Sequence, residues 1–153
     1  MWHTVSKVKI CGLSRKEDVE AVNRALPDYI GFVFAQSRRR VDIKIAAILK
    51  EKLDPRIKAV GVFVNEDIST ISEIHKNGII DLIQLHGDED DSYIKRLRGG
   101  CDCNIIKAVG VGDTLPLLPI EPNYLLFDTI SEKRGGAGRA FDWNLLKIGR
   151  AHV

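Results

Sequence analysis

Short, nearly all-apolar runs alternate with amphipathic helical stretches along this chain, with a period of about 20–25 residues. That alternation restricts the fold more than any other feature. A strand that is apolar along its whole length must be covered on both faces. Parallel sheets flanked by helices provide that cover. Ala59-Val60-Gly61-Val62-Phe63-Val64 is the clearest such run. Residues 8–11, 29–34, 81–85, 105–109 and 124–127 read the same way. Between the first two runs, Ser14 with Glu17 three residues on forms a capping-box pattern. Val19, Val22 and Leu26 then follow at helical spacing, and Pro27 closes the segment. Asp42 opens a second helix carrying Ile45, Ile48 and Leu49, stopped before Asp54-Pro55. A third carries Ile68, Ile71 and Ile74 and ends at Asn77-Gly78. Residues 88–98 form a fourth, acidic at its start and basic at its end, as the helix dipole favours. Residues 113–120 contain Pro116 and Pro119, so any helix there is broken or short. Phe141-Asp142-Trp143 begins a sixth helix after a glycine-rich loop at 133–139. The chain thus reads as six βα units in one α/β domain.

Two architectures fit such a pattern, an open doubly wound sheet and a (β/α)₈ barrel. The first strand–helix turn is Cys11-Gly12-Leu13-Ser14 rather than G-x-G-x-x-G, which removes the main support for a dinucleotide-binding sheet. Hydrophobic residues make up 44% and charged residues 29%, a soluble balance, and a net charge of +2 gives no reason to expect nucleic acid or an anionic membrane as partner. No run is long enough to span a membrane, and the first residues lack the pattern of a secretory signal. The cysteines are Cys11, Cys101 and Cys103, an odd count without metal-type spacing, so neither a disulfide framework nor a metal site is expected. A reducing, cytoplasmic compartment fits.

In a barrel, side chains at the C-terminal ends of the strands build the active site. The candidate reactive residues fall there. Cys11 ends the first strand, Gln84 and His86 the fourth and Asp128 the sixth, while Arg39 lies in the loop after the second. Alternation places Lys9 on the face of Cys11, and Leu126 on that of Asp128. Each residue has an ordinary structural reading as well. A strand cysteine is usually a small buried hydrophobe, an aspartate after a strand a turn residue, and His86 before Gly87 a turn closure. Arg38-Arg39-Arg40 is by default a solvated loop, and Gly135-Gly136-Ala137-Gly138 a flexible one. Their shared rim is what favours chemistry.

The motifs resemble those of phosphoribosylanthranilate isomerases. They are Lys7-Val8-Lys9-Ile10-Cys11-Gly12-Leu13, Gly31-Phe32-Val33-Phe34 with Ser37-Arg38-Arg39, Val60-Gly61-Val62-Phe63-Val64-Asn65 and Gln84-Leu85-His86-Gly87. Ile106-Lys107-Ala108-Val109-Gly110-Val111, Leu126-Phe127-Asp128-Thr129 and the run from Gly135 to Trp143 follow in family order. The resemblance implies a TIM (β/α)₈ barrel and the Amadori rearrangement of N-(5′-phosphoribosyl)anthranilate to 1-(o-carboxyphenylamino)-1-deoxyribulose 5-phosphate in tryptophan biosynthesis. No cofactor or metal is implied, and the partner is the small phosphosugar–anthranilate substrate, with a monomer or homodimer as the assembly. By position, Cys11 is implied as general base, Asp128 as general acid and Arg39 as the holder of the anthranilate carboxylate, with Gln84 and His86 lining the pocket. A thiol acts as a base only as the thiolate, so positive charge is needed beside it. Lys9, on the same face, is expected to supply it.

The chain departs from the family at its end. A full barrel needs about 200 residues or more, so about six of eight units are expected in residues 1–147, without the seventh and eighth strands and their phosphate-gripping loops. Residues 148–153 do not resemble the family and match one reading frame of a common DNA-sequencing adapter, so a non-native tail is expected. With strands one and six left as apolar edges, the chain alone is expected to fold poorly and to be inactive. The competing readings are another phosphate-sugar barrel, of the indole-glycerol-phosphate synthase or ribulose-phosphate epimerase type, and a non-catalytic remnant.

Overall fold

A computed structural model describes residues 6–130 and 140–149. The glycine-rich loop anticipated at 133–139 and the end of the anticipated tail lie outside the described residues. Six strands form one sheet: β1 (Lys9–Cys11), β2 (Tyr29–Val33), β3 (Lys58–Phe63), β4 (Leu82–Leu85), β5 (Ile105–Val111) and β6 (Tyr124–Thr129). Every pair is parallel and the spatial order is the chain order, β1 to β6. A doubly wound sheet reverses its strand order at a switch point. This sheet has no reversal, and its six parallel strands form a half-barrel.

Four helices cover one face: α1 (Lys16–Ala25), α2 (Ile43–Glu51), α3 (Ile68–Lys76) and α4 (Asp91–Arg98). The main core lies between them and the sheet. Val19 and Val22 of α1, Leu49 of α2, Ile71 and Ile74 of α3 and Ile94 and Leu97 of α4 pack there against Ile30, Phe32, Phe63, Ile83 and Leu85, all nearly or fully buried. The second face of the sheet is inside the curl. Val60, Val62 and Leu82 are buried there, outside that cluster. The Lys9 side chain of β1 reaches the Gln84 side chain of β4. In a flat sheet these strands would lie about 14 Å apart at the usual spacing, so the contact measures how far the wall has curled.

Three sequence expectations change. The Ser14/Glu17 box is displaced by one residue: Arg15 is the N-cap residue of α1, and Asp18 accepts from the backbone N–H groups of Ser14 and Arg15 at 3.0 Å each. Helix α4 starts at Asp91, not at 88, because the Asp90 carboxylate caps it by accepting from Tyr93 N–H at 2.8 Å. The sixth helix is a 3₁₀ helix, Trp143–Gly149. No helix joins β5 to β6, as Pro116 and Pro119 anticipate, so the fifth unit lacks the helix that six full βα units would require.

Candidate active site

The sheet register assigns faces without reference to side chains. Cys11 aligns with Gly31, Gly31 with Val60, and Val60 with Leu82. Gln84, two residues on from Leu82, aligns with Ile106, and Gly110, four further along β5, aligns with Asp128. All of these steps keep one parity, so Lys9, Cys11, Gln84 and Asp128 share the inner face.

At the β1 end, the Cys11 thiol is exposed and its space is made by Gly31. A Cβ at position 31 would sit 2.6 Å from Cys11 Sγ. Gly12 follows with φ +88°, the left-handed region that glycine tolerates. Arg39 lies over it, where a Cβ at position 12 would come within 2.4 Å of Arg39 Cδ. Arg39 Nη1 donates to the Cys11 carbonyl at 3.2 Å, and its backbone N–H donates to Ser37 Oγ at 3.2 Å. The loop is tied down further by the bridge from Val33 to Arg40. The Arg39 guanidinium is therefore anchored on the Cys11 backbone at the end of β1.

Across the interior, Lys9 Nζ donates to Gln84 Oε1. Gln84 Nε2 is 3.0 Å from His86 Nδ1, and His86 Nε2 is 3.5 Å from Asp128 Oδ2. Asp128 Oδ1 accepts from the Thr129 N–H at 2.8 Å. Burial lowers the pKa of Lys9, and the charge of Cys11 opposes that shift. Burial also lowers the pKa of His86, which Asp128 opposes and Lys107 reinforces. A half-buried imidazole with a lowered pKa thus adjoins the Asp128 side chain. Of the five residues singled out from the sequence, Gln84, His86 and Asp128 form one contact chain. Cys11 and Arg39 form a second group, and Lys9 joins the two through its contact with Gln84 and its electrostatic coupling to Cys11.

The sequence reading missed a buried ion pair behind this rim. Lys107 Nζ donates to Glu89 Oε2 at 3.0 Å and to the Gly87 carbonyl at 2.6 Å, and their side chains are only 8% and 1% exposed. Glu89 also accepts from the N–H of Asn65 at 2.7 Å and of Gly87 at 2.8 Å, binding the loops after β3 and β4 to β5. Its sequence signal is a lysine between Ile106 and Ala108 in an otherwise apolar strand. The remaining cysteines lie apart: Cys101 is buried with its thiol on Ser72 Oγ at 3.4 Å, and burial pushes the Cys103 thiol up to about 11. Among the described residues, no group of three or more His, Cys, Asp or Glu could hold a metal, and no helix is long and apolar enough to cross a membrane.

The sequence profile of the N-(5′-phosphoribosyl)anthranilate (PRA) isomerase family matches residues 8–152. The N-(5′-phosphoribosyl)anthranilate isomerase of Endomicrobium trichonymphae is 48% identical over 142 residues, 92% of this chain and 71% of that protein. That of Clostridium acetobutylicum is 44% identical over 142 residues, 92% of this chain and 69% of that one. Among solved structures, the phosphoribosyl anthranilate isomerase of Thermotoga maritima superposes with a TM-score of 0.77 at 30% identity, over 93% of this chain and 70% of that one. A phosphoribosyl anthranilate isomerase bound to reduced 1-(o-carboxyphenylamino)-1-deoxyribulose 5-phosphate superposes with a TM-score of 0.66 at 33% identity, over 71% of this chain and 56% of that one.

Proposed function

The chain belongs to the phosphoribosylanthranilate isomerase family, and from that premise we propose that residues 1–147 supply six of the eight βα units of a barrel, working in the cytoplasm, whose rim converts N-(5′-phosphoribosyl)anthranilate to 1-(o-carboxyphenylamino)-1-deoxyribulose 5-phosphate. This is the isomerisation step of tryptophan biosynthesis. The family match moves the reading away from the synthase and epimerase alternatives.

Asp128 gives its proton to the furanose ring oxygen, the C1′–O bond breaks, and the anilino nitrogen lone pair forms the iminium. The Cys11 thiolate then removes the C2′ proton, leaving an enolamine that tautomerises to the ketone. One proton enters and one leaves, so neither an oxidant nor a cofactor is consumed. General acid–base pairs of this kind are worth about 10²–10⁴-fold per group. Arg39 takes the anthranilate carboxylate in its planar fork, Gln84 and His86 line the pocket, and Lys9 supplies the positive charge that favours the thiolate.

The observation that carries this reading is the shared inner face of Cys11 and Asp128, with Arg39 seated on Cys11 and His86 on Asp128. The test is a chimera in which residues 1–147 are continued by the last two βα units of the Endomicrobium trichonymphae relative. It should form the ketose from N-(5′-phosphoribosyl)anthranilate, with Cys11→Ala and Asp128→Asn each lowering kcat by about a hundredfold or more. A folded chimera that makes no ketose, or one indifferent to both substitutions, would sink the assignment.

A further inference from the structure

The contact chain from Lys9 to Asp128 has a direction that elementary chemistry dictates. A lysine ammonium only donates hydrogen bonds. The Gln84 atom it meets must therefore be the carbonyl Oε1, as found. That turns the amide nitrogen toward His86, where Nε2 lies 3.0 Å from Nδ1. An amide NH₂ only donates as well, so Nδ1 must accept and the neutral ring must carry its proton on Nε2. Nε2 is the atom 3.5 Å from Asp128 Oδ2.

Resting on the reading of Asp128 as the acid, we propose that Lys9 and Gln84 are positioning residues that lock His86 in its Nε2–H tautomer, so that the ring presents a donor and never a lone pair to the Asp128 carboxyl group. The opposite tautomer would place a bare nitrogen against Asp128 and draw the acid's proton away from the substrate. With Nε2 protonated, that route is closed, and the carboxylate left after proton donation meets an N–H. Gln84 is only 3% exposed and both ends of its amide are engaged, so solvent offers it no competing partner. The His86 ring is half-buried and its pKa is lowered, which favours the neutral form, the state in which the choice of tautomer matters.

Nuclear magnetic resonance of histidine-labelled chain tests this without substrate, His86 being identified by the signal lost in His86→Asn. Its ring should show Nε2 protonated and Nδ1 bare. In Gln84→Glu the new carboxylate can only accept, so the Nδ1 resonance should move to the protonated position and the Asp128 carboxyl carbon should shift with it. Lys9→Met frees the amide to turn and should give a mixture of tautomers. Lys9→Arg, still a pure donor, should restore the single one. If Gln84→Glu does not fold, the unsubstituted chain and the Lys9 pair decide. A proton on Nδ1 in the unsubstituted chain, or a ring and carboxyl signal unmoved by these substitutions, would overturn the relay. Failure of the isomerase reading shows elsewhere, as absence of ketose from the chimera.

Discussion

Gly12, under Arg39, and Gly31, beside Cys11, give the rim its shape by what they lack. Gly31 leaves room for the Cys11 thiol, because a Cβ there would stand 2.6 Å from Sγ. We predict that Gly31→Ala displaces the thiol and lowers kcat/KM of the chimera by about a hundredfold, the usual cost of an ångström-scale misplacement. The rate of Cys11 alkylation by iodoacetamide should change in parallel while circular dichroism stays native. Unchanged turnover would show that the thiol has freedom to spare. His86 leads to a pH prediction. Its folded pKa lies below the ordinary 6.5, chiefly through burial, with Asp128 opposing and Lys107 and Lys9 reinforcing. The unfolded chain therefore binds this proton more readily than the folded one. The contribution to stability is complete above the unfolded value and is lost as pH falls from about 6.5 through the folded value. Urea midpoints measured between pH 7.5 and 5 should fall with acid, and His86→Gln should flatten that slope. An identical slope in the variant would assign the acid sensitivity to other groups.

The strands from β2 to β5 were legible in the sequence because each is apolar enough to need two covers, and the rim candidates were read from where strands end, Cys11 at β1, Gln84 and His86 at β4 and Asp128 at β6. The loops were less legible. Residues 88–91 read as a charged first turn of helix, yet Glu89 is buried and bonded to Lys107, Asn65 and Gly87. Nothing in a run of four acidic residues marks which one turns inward; that depends on a lysine 18 positions later in the chain. The same limit explains the misplaced cap of α1. Ser14 is the better capping residue by type, but the Asp18 carboxylate reaches two backbone N–H groups at once and sets the helix start. The Lys107–Glu89 pair makes the loops after β3 and β4 a single unit with strand β5. Removing one partner of a buried pair leaves an uncompensated charge and costs about 3–5 kcal/mol. Lys107→Met should destabilise by that amount in urea unfolding. Lys107→Met with Glu89→Leu should recover part of it, because no buried charge then remains. A Lys107→Met loss below about 1 kcal/mol would mean that water already reaches the pair.

At the scale of the whole molecule, the sheet is curled enough for β1 to touch β4 across the interior, yet β1 and β6 are not neighbours among the described residues. Its two margins carry apolar surface: Val8 just before β1 is 53% exposed and Ile10 within it 40%, and Tyr124 in β6 is 51% and Ile130 just after it 66%. Fully burying a large apolar side chain is worth about 1.5–3 kcal/mol. Four such residues, each roughly half exposed, therefore hold back about 4 kcal/mol. Unpaired backbone groups on two edge strands add a route to intermolecular pairing. If the proposed barrel is right, two further βα units cover both margins at once, and the gain is cooperative because a closed sheet has no edge. The chimera should therefore melt about 10 °C above the 153-residue chain and stay monomeric or dimeric at concentrations where the chain alone forms larger species by light scattering. The chain alone should bind a hydrophobic dye that the chimera does not. Equal melting temperatures and equal dye binding would mean that the margins are already covered in solution. The six-unit wall would then be a finished fold, and the proposal that it is the larger part of an eight-unit barrel would fall.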